Sequence, residues 1–184
     1  KKEEIVLPIN AAQTVIYTDT ISNSNTINDL FKIAKEKLEV PYSNIIITNS
    51  KFDYGYNEYS INKNLNNVLF SNDSINSISF DNNEITNLTF SNCYINSLLI
   101  TSSNINNLNI KNCKINSIEI ISSPFNVLNI ISPINDTINK ILIKNCEESK
   151  NVFFDGNFNE IVFDGGQVDN LDITKIETEH TSLQ

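Results

Sequence analysis

The chain has one histidine, three cysteines, four glycines and no cluster of basic residues, and each shortage removes a class of function. His180 lies in a polar C-terminal stretch with no Cys or Asp anchored beside it. Neither a Ser-His-Asp arrangement nor a histidine-rich metal site is expected. Three Cys at low density do not resemble the disulfide framework of a small secreted domain. Gly165-Gly166 lacks the Lys and following Ser/Thr of a phosphate-binding loop. Acids outnumber bases 22 to 13, for a net charge of −9, which argues against direct nucleic-acid binding. Apolar runs such as Ile45–Ile47 are far too short to cross a bilayer, so no membrane partner is expected. Lys1-Lys2-Glu3-Glu4 leads into no signal-like segment, and the chain reads as soluble. It reads as cytoplasmic provided no leader was removed, a condition that Lys rather than Met at position 1 leaves open.

What the sequence does have is a rhythm. Large apolar residues fall on every fifth position: Leu65, Phe70, Ile75, Phe80, Ile85, Phe90, Ile95, Ile100, Ile105, Ile110, Ile115, Ile120, Phe125 and Ile130. Neither a 3.6-residue helix nor a two-residue strand alternation gives that interval, so the chain is a repeat architecture. Two residues before each anchor the size alternates. Val68, Ile78, Leu88, Leu98, Leu108, Ile118 and Leu128 are large, whereas Asp73, Asn83, Cys93, Ser103, Cys113 and Ser123 are small or polar. Asn76-Ser77, Asn96-Ser97 and Asn116-Ser117 recur every twenty residues, which sets the coil. About a third of the chain is Asn or Ile, the bias of stacked polar turns around an apolar interior.

Ser-Asn-Ile-Asn-Asn at 103–107 and Cys-Lys-Ile-Asn-Ser at 113–117 resemble the pentapeptide-repeat family, which implies a right-handed quadrilateral β-helix for residues 63–173. Alternate small positions here carry Leu or Ile, which departs from that family and implies a flattened section with two broad faces and two tighter sides. A leucine-rich repeat is the alternative, since Ile105–Ile115 is similar to its strand consensus, but the unbroken anchors leave no space for a convex segment. Stacked Asn residues are expected to form amide ladders between coils.

The first sixty residues have a different pattern. Residues 4–9 and 14–21 read as two strands, and Thr26 reads as the N-cap of a helix carrying Ile27, Leu30, Ile33, Ala34 and Leu38, stopped at Val40-Pro41. A strand at 44–48 follows, then a polar, Tyr-rich loop over 51–59. Thr26-Ile27, Leu30, Ala34 and Val40-Pro41 resemble the ubiquitin pattern, which implies a ubiquitin-like β-grasp fold for about residues 4–62. The expected organisation is therefore an α+β domain at 1–62, a β-helix of roughly five coils at 63–173, and a flexible tail at 174–184.

Pro124 and Pro133 bracket a disturbance. The anchors resume three residues late at Ile138, Ile143, Phe153, Phe158, Phe163, Val168 and Ile173, with Ile141, Ile161 and Leu171 in the large place. A three-residue insertion accounts for this, and a 13-residue loop is the other accounting. The carboxylates Glu147, Glu148, Asp155, Glu160, Asp164, Asp169 and Asp172 are the one cluster to weigh for sugar hydrolysis. Spaced by twenty, they fall over bases or uncharged residues, as on a solvated surface. No enzyme activity and no cofactor are expected. The expected role is a protein-binding or structural module presenting Asn/Ser-rich faces, with Asn76, Asn96, Asn116, Asn106 and Asn126 as the binding candidates. Self-association through a β-helix end is open. An acidic DNA mimic acting on a topoisomerase, as the family resemblance implies, and a glycan-binding surface or phage-fibre β-helix are the alternatives.

Overall fold

The computed structural model describes residues 3–9, 12–30, 43–52, 59–174 and 182–183, and among them the chain is a parallel β-solenoid of about six turns. Each turn takes about 20 residues and contributes to two stacks of strands. One stack contains β1 (Glu3–Ile9), β2 (Ala12–Thr18), β4 (Ser43–Thr48), β7 (Leu65–Ser71), β9 (Glu84–Ser91), β11 (Asn104–Lys111) and β13 (Phe125–Ile131). The other contains β3 (Thr20–Ile21), β5 (Lys51–Phe52), β8 (Ser74–Asp81), β10 (Tyr94–Thr101) and β12 (Lys114–Ile121). The long strands β14 (Ile138–Asp155) and β15 (Phe158–Thr174) continue both stacks. β6 (Tyr59–Ile61) lies beside β8, and β16 (Ser182–Leu183) beside β15.

Burial follows the five-residue rhythm. In the coil from Asn83 to Ile100 the buried residues are Asn83, Ile85, Leu88, Phe90, Cys93, Ile95, Leu98 and Ile100. Two corner types alternate. At positions such as 86–87 and 96–97 two successive residues stay out of the core while the strand bends. At Asn72, Asn82, Asn92, Ser102, Asn112, Ser122 and Asn145 the backbone instead takes positive φ, between 49° and 57°. Asn tolerates that left-handed region better than most residues, which explains part of the Asn excess. Strand follows strand through residues 65–131 with only short corners between, so no convex segment of the leucine-rich-repeat kind occurs there.

The register makes columns of like residues, which one coil alone could not bury. Val68, Leu88, Leu108, Leu128 and Val152 form one, and Phe70, Phe90, Ile110, Ile130 and Phe154 another. Phe70 and Phe90 stack with ring centroids 4.8 Å apart. Buried apolar side chains of paired strands stand about 4.8 Å above or below their counterparts, so neighbouring coils cover each other's edges.

Several expectations need correction. The parallel stack reaches further toward the N-terminus than residue 63: Ile45 and Ile47 are in register with Val68 and Phe70, and this adds a coil to the five expected. Within it Phe52, Tyr59 and Ile61 are buried, and the Tyr59 hydroxyl donates to the Ile21 carbonyl at 2.7 Å, so the ends of the expected polar loop are core; residues 53–58 lie outside the described residues. The helix begins at residue 24, and its cap is Asn23, not Thr26: the Asn23 Oδ1 accepts the Thr26 N–H at 2.9 Å. Asn is at least as good a cap as Thr and stands three residues before a free N–H. Ile27 and Leu30 are buried as expected, whereas Ile33, Ala34, Leu38 and Val40-Pro41 lie outside the described residues. β1 and β2 form an antiparallel hairpin, and β2 runs parallel to β4.

The interruption begins only at Pro133. β13, between the two prolines, keeps the 20-residue register with β11, and Ile118 pairs with Ile141, so the insertion is three residues and not a 13-residue loop. A further shift lies between Cys146 and Ser149, where Glu148 adopts φ 57° in a bulge. That extra residue turns the following strand over, so Val152 and Phe154 enter the core and Phe153, expected as an anchor, is exposed. Gly156, at φ 117°, closes a short corner against Ser132 and restores the register, so Phe158 is again buried. Leu171 continues the large column after Val152 but is 42% exposed at the end of the stack. Of the expected tail, Thr174 belongs to β15 and Ser182–Leu183 pair with Val162 and Phe163; the remainder lies outside the described residues.

Candidate functional site

The five Asn candidates fall on two different corners of the coil. Asn76, Asn96 and Asn116 stand at equivalent positions of successive coils on the β8–β10–β12 side, continued by Asn139 and Asn159. Asn106 and Asn126 stand on the β11–β13 side. Asn96, Asn106, Asn116 and Asn126 are exposed and Asn76 is half-buried. The two sets do not form one surface.

Members of each set line a shallow groove on the surface of the solenoid. Asn106 and Asn126 line one of about 500 Å³, together with Glu84, Asn104, Glu148 and Lys150. Asn96 and Asn116 line one of about 420 Å³ with Tyr94, Lys114, Thr137 and Asn139. Beside this second groove the three-residue insertion makes a turn, in which the Asp136 N–H donates to the Pro133 carbonyl at 3.4 Å. The turn leaves Ile134 90% exposed and brings the Asp136 carboxylate 3.9 Å from the Lys114 ammonium. Tyr94, paired with Lys114 across the strands, is 46% exposed. Two of the four exposed large apolar side chains among the described residues are therefore on this side.

The amide ladders exist, and their best run is one position away from the candidates. Asn107 donates to Asn87 and Asn87 to Asn67, both at 2.7 Å, and Val127 interrupts the series before Asn170 donates to Asn151 at 3.0 Å. Among the candidates, Asn126 donates to Asn106 at 3.3 Å and Asn139 to Asn116 at 3.1 Å.

The small inward positions hold a second repeating bond. The Ser103 hydroxyl accepts the Asn83 N–H at 3.0 Å and donates to the Thr101 carbonyl at 2.9 Å; the Ser123 hydroxyl does the same for Ser103 and Ile121. Cys113 is the thiol version, accepting from the Cys93 N–H at 3.4 Å. Cys93 and Cys113 stack one coil apart, and Cys146 lies in the opposite column below Ser123; all three are free and buried. Contact with the Cys113 side chain and then burial push the Cys93 thiol up, and burial pushes up Cys146. Buried thiols held protonated are poor nucleophiles and poor ligands. Among the described residues no group of three or more His, Cys, Asp or Glu could hold a metal ion.

The acids of the C-terminal coils alternate with bases. Lys140 pairs with Glu160 and Lys144 with Asp164 in register, and Asp155 meets Thr174, a step one residue shorter than the coil because of the bulge. Comparison of the chain with protein-family models, with curated proteins and with solved structures finds no match.

Proposed function

We propose that the chain is a non-catalytic interaction module that docks a protein partner along the side bearing Tyr94, Asn96, Asn116 and the inserted turn at Ile134. One observation carries the reading: a groove of about 420 Å³ is lined by a half-exposed Tyr and a row of amides, and the turn beside it presents Ile134 to solvent. Aromatic and aliphatic anchors beside satisfied polar groups are the composition of protein–protein contacts. The other groove has the amides and is lined by Pro124 and the buried Phe125, but none of the exposed large apolar side chains among the described residues lines it. The finer family readings belong here too. The 20-residue coil with a buried apolar residue at every fifth position supports a pentapeptide-repeat-like solenoid, from which the large residues at alternate small positions depart. The β1–β2 hairpin and the helix from residue 24 support a ubiquitin-like cap, while β4 continues the solenoid stack through its pairing with β7.

The test is quantitative capture from the source cells after crosslinking, with the intact chain as bait. Tyr94→Ser with Ile134→Ser is expected to lower recovery of specific partners at least tenfold, the loss typical of two interface anchors. Asn106→Ala with Asn126→Ala, on the other corner, should leave recovery unchanged. Equal loss from both pairs, or from neither, would refute the assignment of this side.

A further inference from the structure

Asp73 occupies one of the small inward positions and is 2% exposed. Its Oδ1 accepts the Ser50 N–H at 2.8 Å, and its Oδ2 has no hydrogen-bond partner. At Ser103, Ser123 and Cys113 the side chain both accepts and donates. Ser103 donates to Thr101, Ser123 to Ile121 and Cys113 to Lys111, in each case to the carbonyl two residues earlier. Those carbonyls also accept a backbone N–H from the preceding coil: Asn82 on Thr101, Ser102 on Ile121, Asn92 on Lys111. The Ser71 carbonyl is the equivalent group for Asp73, and it accepts the Asn49 N–H at 3.0 Å in the same way. A carboxylate can only accept, whereas a carboxylic acid can also donate, as the hydroxyls and thiols do.

We propose that Asp73 is held protonated in the fold, where its carboxyl O–H donates to the Ser71 carbonyl and clasps the corner at Asn49–Ser50 onto the repeat, a junction that loosens as the carboxyl ionises. The surroundings favour the neutral form. Burial, and secondarily the Cys93 side chain, push the carboxyl up to about 8 against the bonds from the Ser50 and Ser71 backbone. Among the described residues, the titratable or charged groups at the two adjoining corners are Lys51 on the preceding coil, which is exposed, and Cys93 and Tyr94 on the following one. The N–H of Asp19 reaches the Ser50 hydroxyl at 3.3 Å.

Because the folded value lies above the unfolded one near 3.8, this carboxyl's contribution to stability is complete below about pH 4 and is lost as pH rises toward 8. Asp73→Asn retains an acceptor oxygen and adds a permanent donor. The full chain, labelled with 13C at aspartate carboxyl carbons, is titrated from pH 3 to 9, the Asp73 resonance being the one lost in Asp73→Asn. A midpoint near 8 is expected; a midpoint below 5 overturns the proposal. In parallel, the melting temperature of Asp73→Asn minus that of the wild type is expected to be near zero below pH 4 and to grow by several degrees up to pH 8. A difference that stays constant with pH overturns it as well. If Asp73→Asn fails to fold, Asp73→Ser, the residue of the equivalent slots, provides the same comparison.

Discussion

Among the described residues of the repeat, the outward and corner Asn residues show three tasks, set by their place in the coil. At Asn72, Asn82, Asn92 and Asn112 the residue accepts a left-handed backbone. At Asn67, Asn87 and Asn107 it is a rung of an amide ladder. At Asn96 it is exposed and joined to neither neighbouring Asn by such a bond, which leaves it available to a partner. These tasks separate by mutation. Asn87 both donates and accepts in its ladder, so Asn87→Ala should cost about 1–3 kcal/mol, from two bonds at roughly 0.5–1.5 kcal/mol each. Asn96→Ala should change stability by less than about 0.5 kcal/mol, as for surface sites generally. Chemical denaturation of both variants checks the contrast, and equal costs would mean that the ladder contributes nothing specific. The sequence marks the Asn excess and its stacking, but it does not separate the three tasks, because that depends on φ at each corner.

At the level of the strand, β11 shows how the repeat is enforced. Ile105, Leu108 and Ile110 point inward with one or two outward residues between them, and each has an equivalent on β9 and β13. Leu108 is fully buried between Leu88 and Leu128, so Leu108→Asp places an unpaired charge in the central column. A loss of roughly 4 kcal/mol or more is expected. A melting temperature equal to that of the wild type would show that the inward assignment is wrong. This strand was fully legible, because a period that never slips fixes every side chain's direction. β14 was not. One extra residue at Glu147–Glu148 reverses the facing of all that follows until Gly156, which is how Phe153 becomes a surface residue and Phe154 a core one. A bulge of this kind leaves the composition unchanged and alters only the pairing. The cap at Asn23 escaped for a related reason, since Asn23, Ser24 and Thr26 are all acceptable caps and only the hydrogen bond selects one.

As a whole the described body is about six coils, near 30 Å long at the strand spacing, with one apolar interior running through it. Cys93, Cys113 and Cys146 lie at three levels of that interior, and they report on its cooperativity. In native buffer all three thiols should resist an aromatic disulfide reagent, and across a denaturant series they should become reactive together. Separate steps, with Cys146 reacting before Cys93 and Cys113, would indicate that the coils open independently. The sequence by itself determined the parallel solenoid, its 20-residue coil, the inward residues from 65 to 130 and the stacking of Asn, because a strict period leaves one set of directions that buries every anchor. Only the tertiary structure decided the extension of the stack to residues 43–52 and 59–61, the bulge and its correction at Gly156, the separation of the Asn candidates onto two corners, and the unpartnered oxygen of Asp73. Those features arise from pairing between coils, where a shift of one residue changes which side chains meet without changing how any segment reads alone.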